Sequence, residues 1–84
     1  MELRHLRSFV YVAETLSFSV AASYCCVTQS AVSQHIKALE EELGCKLLIR
    51  TSHDIMLTES GENLLPRAKE ILKQTEDCKE HIHA

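Results

Sequence analysis

Phe18 to Leu43 reads FSVAASYCCVTQSAVSQHIKALEEEL, and this stretch decides the fold. Ala21, Ala22 and Cys25 are small or apolar at helical spacing, so a short helix ends near Cys25. Val27 is placed to plug a turn. Thr28 is a good N-cap, because its hydroxyl can accept from the free N–H groups of a helix start. Val32, Ile36, Leu39 and Leu43 then form one apolar stripe. Gln29, Ser30, Ser33, Gln34 and Lys37 are left on the opposite face. A helix-turn-helix needs this division: one face holds the unit in its core and the other is offered to a DNA major groove.

Upstream, Leu3, Leu6, Phe9, Val10, Ala13 and Leu16 recur at helical spacing and predict a first helix over residues 3 to 15. Arg4, Arg7, Ser8 and Glu14 fall off that stripe. Ser17 and Ser19 can cap the next helix. Downstream, Gly44 is a natural stop for the third helix. The segment 46–51, KLLIRT, and Ile55, Met56 and Leu57 read as two short strands around a turn at Ser52, His53 and Asp54. The hairpin lacks an Asn-Gly or Asp-Gly signal. Directly after a helix-turn-helix it reads as a wing.

Thr58 opens a last helix with an acidic first turn. Pro66 should kink this helix unless the helix restarts there. Leu64, Ala68, Ile71, Thr75, Cys78 and Ile82 alternate by four and three residues, the spacing of a heptad seam. Leu65 and Leu72 lie beside the seam and can pack on the same chain. A helix reaching past so small a domain cannot bury its distal turns on it, which favours a partner helix over an intramolecular core. The expected organisation is a winged helix-turn-helix over 1–57 and a dimerisation helix over 58–84. The helix runs to Ala84 without a stop signal, so a continuing chain is expected.

Composition narrows the function. Eighty-four residues make one domain, mainly α. No apolar run reaches membrane-spanning length and MELRHLRSF contains no leader-type apolar core, so a cytoplasmic location is expected. The net charge of −3 weighs against DNA binding, but its distribution matters more than its sum. Glu40, Glu41 and Glu42 fall late in the third helix, whereas Arg4, Arg7, Lys37, Lys46 and Arg50 lie in segments that would approach DNA. Cys25, Cys26, Cys45 and Cys78 form no CxxC pair and no zinc spacing, so reduced, passive thiols are expected, with Cys25 buried. Five scattered histidines, at 5, 35, 53, 81 and 83, complete no catalytic or metal constellation. A protein-interaction module that dimerises without strong DNA affinity is the competing reading.

The pieces LRHLRSFVYVAETLSFSVAA, VTQSAVSQHIKALEEELGCKLLIRT and LTESGENLLPRAKEIL, in this order, resemble the N-terminal DNA-binding domain of LysR-type transcriptional regulators. The resemblance spans essentially the whole chain. It implies a winged helix-turn-helix, a dimerising linker helix, and a larger effector domain, absent here, that binds a small-molecule co-inducer. It also implies dimers or tetramers on promoter DNA, and no cofactor in this part. Departures from the pattern are Val20 for a frequent Arg, Tyr24-Cys25-Cys26 at the end of the second helix, Ser30 for a common Pro, Leu48 for a frequent Phe, and His53 for a wing Arg.

The residues expected to meet DNA are Thr28, Gln29, Ser30, Ser33, Gln34, His35, Lys37, Arg50, His53 and Arg4. Gln can pair bidentately with adenine and Ser can donate or accept. Thr28 and Ser30 near a helix N-terminus suit a phosphate. His35 and Lys37 suit phosphate, with protonation of His35 in mild acid tightening the contact. Lys37 can instead pair with Glu41 at i, i+4. Arg50 and His53 suit the minor groove, with an internal ion pair as the other role for Arg50.

Overall fold

The computed structural model describes residues 1–83; Ala84, the last residue assigned to the dimerisation helix, lies outside the described residues. Element order is α1 (Leu3–Thr15), α2 (Phe18–Cys25), α3 (Gln29–Leu43), β1 (Leu48–Arg50), β2 (Ile55–Leu57) and α4 (Glu59–His81). The expected winged helix-turn-helix with a trailing long helix is what forms.

α1 is the centre of the molecule, because α2, α3 and α4 all pack on it. It therefore buries more than a stripe: Leu6, Phe9, Val10 and Ala13, and also Val12 and Ser8. Ser8 was expected off the apolar side; the three-sided cover encloses it. Leu3 and Leu16, assigned to the stripe, are exposed at the two ends of α1, where cover runs out. Leu16 is the left-handed C-cap with φ 55°. Phe18, Ala21, Ala22, Val32, Ile36, Leu39, Leu47, Leu48 and Ala68 complete the core around α1.

The helix-turn-helix is held by caps as much as by its core. Ser17 Oγ accepts from Val20 N at 3.1 Å, and Thr28 Oγ1 from Ala31 N at 3.0 Å. α2 ends on Cys26 in the left-handed region, φ 58°, with Val27 N donating to Ala22 O at 3.0 Å. That backbone bond closes the turn, and Val27 itself is 40 % exposed rather than a plug. Leu43 likewise lies outside the core, one residue before the αL stop at Gly44. Cys25 is half-buried, so it is only partly the buried thiol expected. Tyr11 and Tyr24 stack across α1 and α2, ring centroids 5.0 Å apart.

The wing is a three-residue antiparallel ladder, Leu48↔Leu57, Ile49↔Met56 and Arg50↔Ile55. Thr51 replaces the missing turn signal: its N–H donates to Asp54 O at 2.8 Å, and its Oγ1 accepts from Asp54 N at 2.9 Å. Leu48 is buried and Leu57 half-buried on the inner face, while Ile49 and Met56 point outward.

α4 begins at the Thr58 cap, whose Oγ1 accepts from Gly61 N at 3.0 Å and donates to Lys46 O at 2.6 Å. The helix continues through Pro66 rather than restarting there. Its proximal half belongs to the domain. Ala68, expected on the partner-facing seam, is fully buried in the core, and Leu64 packs half-buried against it alongside Leu65 and Leu72. The core uses this face to cover α1. Ile71, Cys78 and Ile82 are exposed, and Thr75 is half-buried with its hydroxyl donating to Ile71 O. The long axis of the molecule is 50 Å against 25 and 19 Å across, mostly because α4 projects beyond the domain.

Candidate nucleic-acid interface

The Thr28 cap and the Val32–Ile36–Leu39 anchor set the rotation of α3. That rotation leaves Gln29, Ser30, Gln34 and Lys37 on one continuous exposed face, with Ser33 half-buried at its edge. Thr28 is exposed at the head of this face, its oxygen already committed to the cap. Short polar groups at the first turns and a lysine further on present donors and acceptors of the kind that read base edges and phosphates. No ion pair between Lys37 and Glu41 forms among the described residues, and Lys37 is exposed.

His35 sits elsewhere. It lies on the flank of α3 that faces α1, with Nδ1 2.7 Å from the buried Ser8 hydroxyl and its ring stacked on His5 at 4.9 Å between centroids. Cys25 Sγ is the other neighbour of Ser8 Oγ, at 4.0 Å. Burial pushes the His35 pKa below its ordinary 6.5, helped by the nearby His5 and Arg4 charges. Nδ1 and the Ser8 hydroxyl share a hydrogen bond whose direction follows the tautomer of the ring. The expectation that mild acid charges His35 for a phosphate is thus corrected: its surroundings oppose protonation.

This has a sign for stability. A histidine whose folded pKa lies below its unfolded value stabilises fully above about 6.5 and loses that contribution as the pH falls below it. Between about pH 7.5 and about pH 5.5, the wild-type Tm should therefore fall more than that of His35→Gln. Parallel melts of the two proteins over that range check this; equal slopes would remove His35 from the account.

Arg4 is exposed near His35, with Nη2 3.8 Å from Glu2 Oε2. Such a surface pair is weak and leaves Arg4 available. On the wing, the Arg50 guanidinium lies 4.1 Å from the centre of the Phe18 ring. The internal ion pair foreseen as the other role for Arg50 is not found among the described residues; a cation–π contact with Phe18, which the sequence did not suggest, takes its place. His53 is exposed at the wing tip.

Glu40 was counted only as part of an acidic run. Its carboxylate in fact reaches the start of β1, where Oε2 accepts from Leu47 N at 2.8 Å. Its place in the sequence hinted at this, on the apolar side of α3 next to Leu39. No group of three or more metal-ligating side chains occurs among the described residues. No helix among them is long and apolar enough to cross a membrane.

Residues 3–62 match the model of the bacterial regulatory helix-turn-helix proteins of the lysR family. The chain is 44 % identical over 78 residues, 93 % of its length, to the uncharacterized HTH-type transcriptional regulator YnfL of Escherichia coli, of which it spans 26 %. It is 52 % identical over 64 residues, 76 % of its length, to the HTH-type transcriptional activator AmpR of Citrobacter freundii, of which it spans 22 %. The chain thus spans about a quarter of the length of these relatives. The BenM DNA-binding domain, solved in complex with the catB site 1 DNA, superposes with a TM-score of 0.89 at 41 % identity, covering 95 % of this chain and 90 % of that one. These relatives are regulators rather than enzymes. With the helix-turn-helix, wing and trailing helix in the same order, the chain belongs to the lysR family of bacterial regulatory helix-turn-helix proteins.

Proposed function

We propose that this chain is the DNA-reading part of a transcriptional regulator and binds double-stranded DNA by sequence. The observation that carries the reading is the exposed polar face Gln29–Ser30–Gln34–Lys37 on a helix whose other side is locked into the core. The likeness to a DNA-bound BenM domain supports it. α3 enters the major groove with Gln29, Ser30, Ser33 and Gln34 at base edges, and Lys37, Arg4 and Thr28 beside phosphates. Arg50 and His53 on the wing approach the adjacent minor groove.

Residues 1–57 supply this reading surface, and the helix over 58–84 joins two copies. Its distal residues, the exposed Ile71, Cys78 and Ile82 with the half-buried Thr75 between them, are the surface for a second chain. Two copies related by a two-fold axis call for a partly palindromic site. Tetramers, a cytoplasmic location and a co-inducer bound by a separate effector domain extend the proposal to the whole regulator.

Base reading predicts a selective loss. Gln29→Ala and Gln34→Ala should each weaken binding to a selected site by roughly 10-fold, in line with about 1–3 kcal/mol per bidentate base contact. Binding to a scrambled duplex should change by less than about 2-fold, because phosphate contacts persist. Fluorescence anisotropy on both duplexes measures this. Equal losses on both would assign these glutamines to fold or phosphate rather than to bases.

A further inference from the structure

One side chain bonds α3 directly to the start of the wing. Glu40 lies on α3 with its side chain only 13 % exposed. Its Oε2 accepts from Leu47 N at 2.8 Å and from Leu48 N at 3.4 Å, and its Oε1 lies 3.7 Å from Lys46 Nζ. Its backbone carbonyl accepts from Gly44 N at 2.8 Å and Cys45 N at 3.2 Å. One residue thus ends α3 and sets the entry into β1. The 2.8 Å bond from Leu47 N to the carboxylate is charge-assisted, and such bonds are stronger than neutral ones. Leu47 and Leu48 are buried, so water substitutes poorly for the carboxylate. Two residues beyond Leu48 comes Arg50, and three beyond that His53.

We propose that Glu40 is a positioning residue of the DNA-binding face. Its carboxylate holds the wing, and with it Arg50 and His53, at a set orientation to α3. It spans two elements that must meet the duplex at the same time, and it does so without touching DNA. A free wing would have to be ordered on binding, at a cost in affinity. This inference rests on the reading of α3 and the wing as a DNA-contacting pair.

The test uses the full chain with Glu40→Ala and Glu40→Gln, each also in an Arg50→Ala/His53→Ala background. Amide exchange without DNA should speed up about 10-fold at Leu47, Leu48 and the wing in Glu40→Ala, with α1 and the first turns of α3 unchanged. Glu40→Gln keeps one acceptor oxygen and should fall between wild type and Glu40→Ala. Affinity for the selected site should drop about 10-fold in Glu40→Ala, but less than about 2-fold when the wing side chains are already gone. Faster exchange spread evenly over α1 and α3, or the same affinity loss in both backgrounds, would overturn the proposal, because Glu40 would then support the fold generally. A wild-type chain that ignores DNA sequence would instead sink the DNA reading, and the exchange data would still decide whether Glu40 holds the wing.

Discussion

Phe9→Ala is expected to lower the Tm by ~20 °C. Phe9 is fully buried at the centre of α1, where α2, α3 and α4 meet. Emptying such a site costs about 3–5 kcal/mol, from lost apolar transfer and the cavity left behind. A domain of this size has a total stability of roughly 4–13 kcal/mol. Each kcal/mol shifts the midpoint by about 4–8 °C in a small domain. Helices packed on three sides of α1 cannot close on the void together, since moving one toward it strips its other contacts. Circular-dichroism melts measure the shift. A loss of only a few degrees would mean that α1 is not the hub of the core.

Gly61→Ala is the second large effect, and its cause is contact rather than cavity. A Cβ at Gly61 would sit far inside van der Waals distance of Leu47 O, with Leu57 and the Leu47 carbonyl carbon also crowded against it. That carbonyl is backbone and already accepts from Thr58 N at 3.0 Å, so it cannot swing away. The first turn of α4 must then lift off the base of the wing. Overpacking of this kind costs about 1–3 kcal/mol and at times more. Gly44→Ala provides the internal control. Gly44 has φ +70° but open space around a Cβ, so only the left-handed backbone is penalised, at about 1 kcal/mol. Chemical denaturation of the two variants should rank Gly61→Ala well above Gly44→Ala; the reverse order would contradict the close approach of α4 to Leu47.

The elements were legible because local signals agreed with one another. Thr28, Gly44 and Thr58 each do at a helix end what their chemistry suggests, and the Val32–Ile36–Leu39 stripe points α3 inward as read. The errors share one cause: periodicity reports one buried face, and the ends or wrapped parts of an element do not obey it. Ser8 is buried because α1 is covered on several sides. Leu16, Val27 and Leu43 are exposed because each lies at an element end where its neighbours stop. Ala68 misled for a different reason. A seam that faces the domain and a seam that faces a partner have the same spacing, and only the position of α1 separates them. The polar face of α3 followed directly from its apolar anchor. The Ser8–His35 contact, the Arg50–Phe18 contact and the Glu40 bonds to β1 join residues distant in sequence, which no local pattern encodes.

The acidic total is reconciled with a DNA-facing surface by placement. Glu40 is turned inward on β1, and Glu14 pairs with Lys69 at 3.0 Å on the α1–α4 side. Among the described residues, Arg4, Lys37 and Arg50 are exposed and have no close carboxylate partner other than the weak Glu2–Arg4 pair. In the proposed dimer, Arg4 and Lys37 on each of two chains correspond to about four phosphates, which predicts a slope of roughly −4 for log K against log salt. The most direct test is therefore an anisotropy titration of the full chain, on a partly palindromic duplex and on a scrambled one, at several salt concentrations. Tight binding to the first, weaker binding to the second, and a steep fall with salt on both is the predicted result. Weak binding that is indifferent to sequence and flat with salt would contradict a DNA-reading role for α3 and the wing.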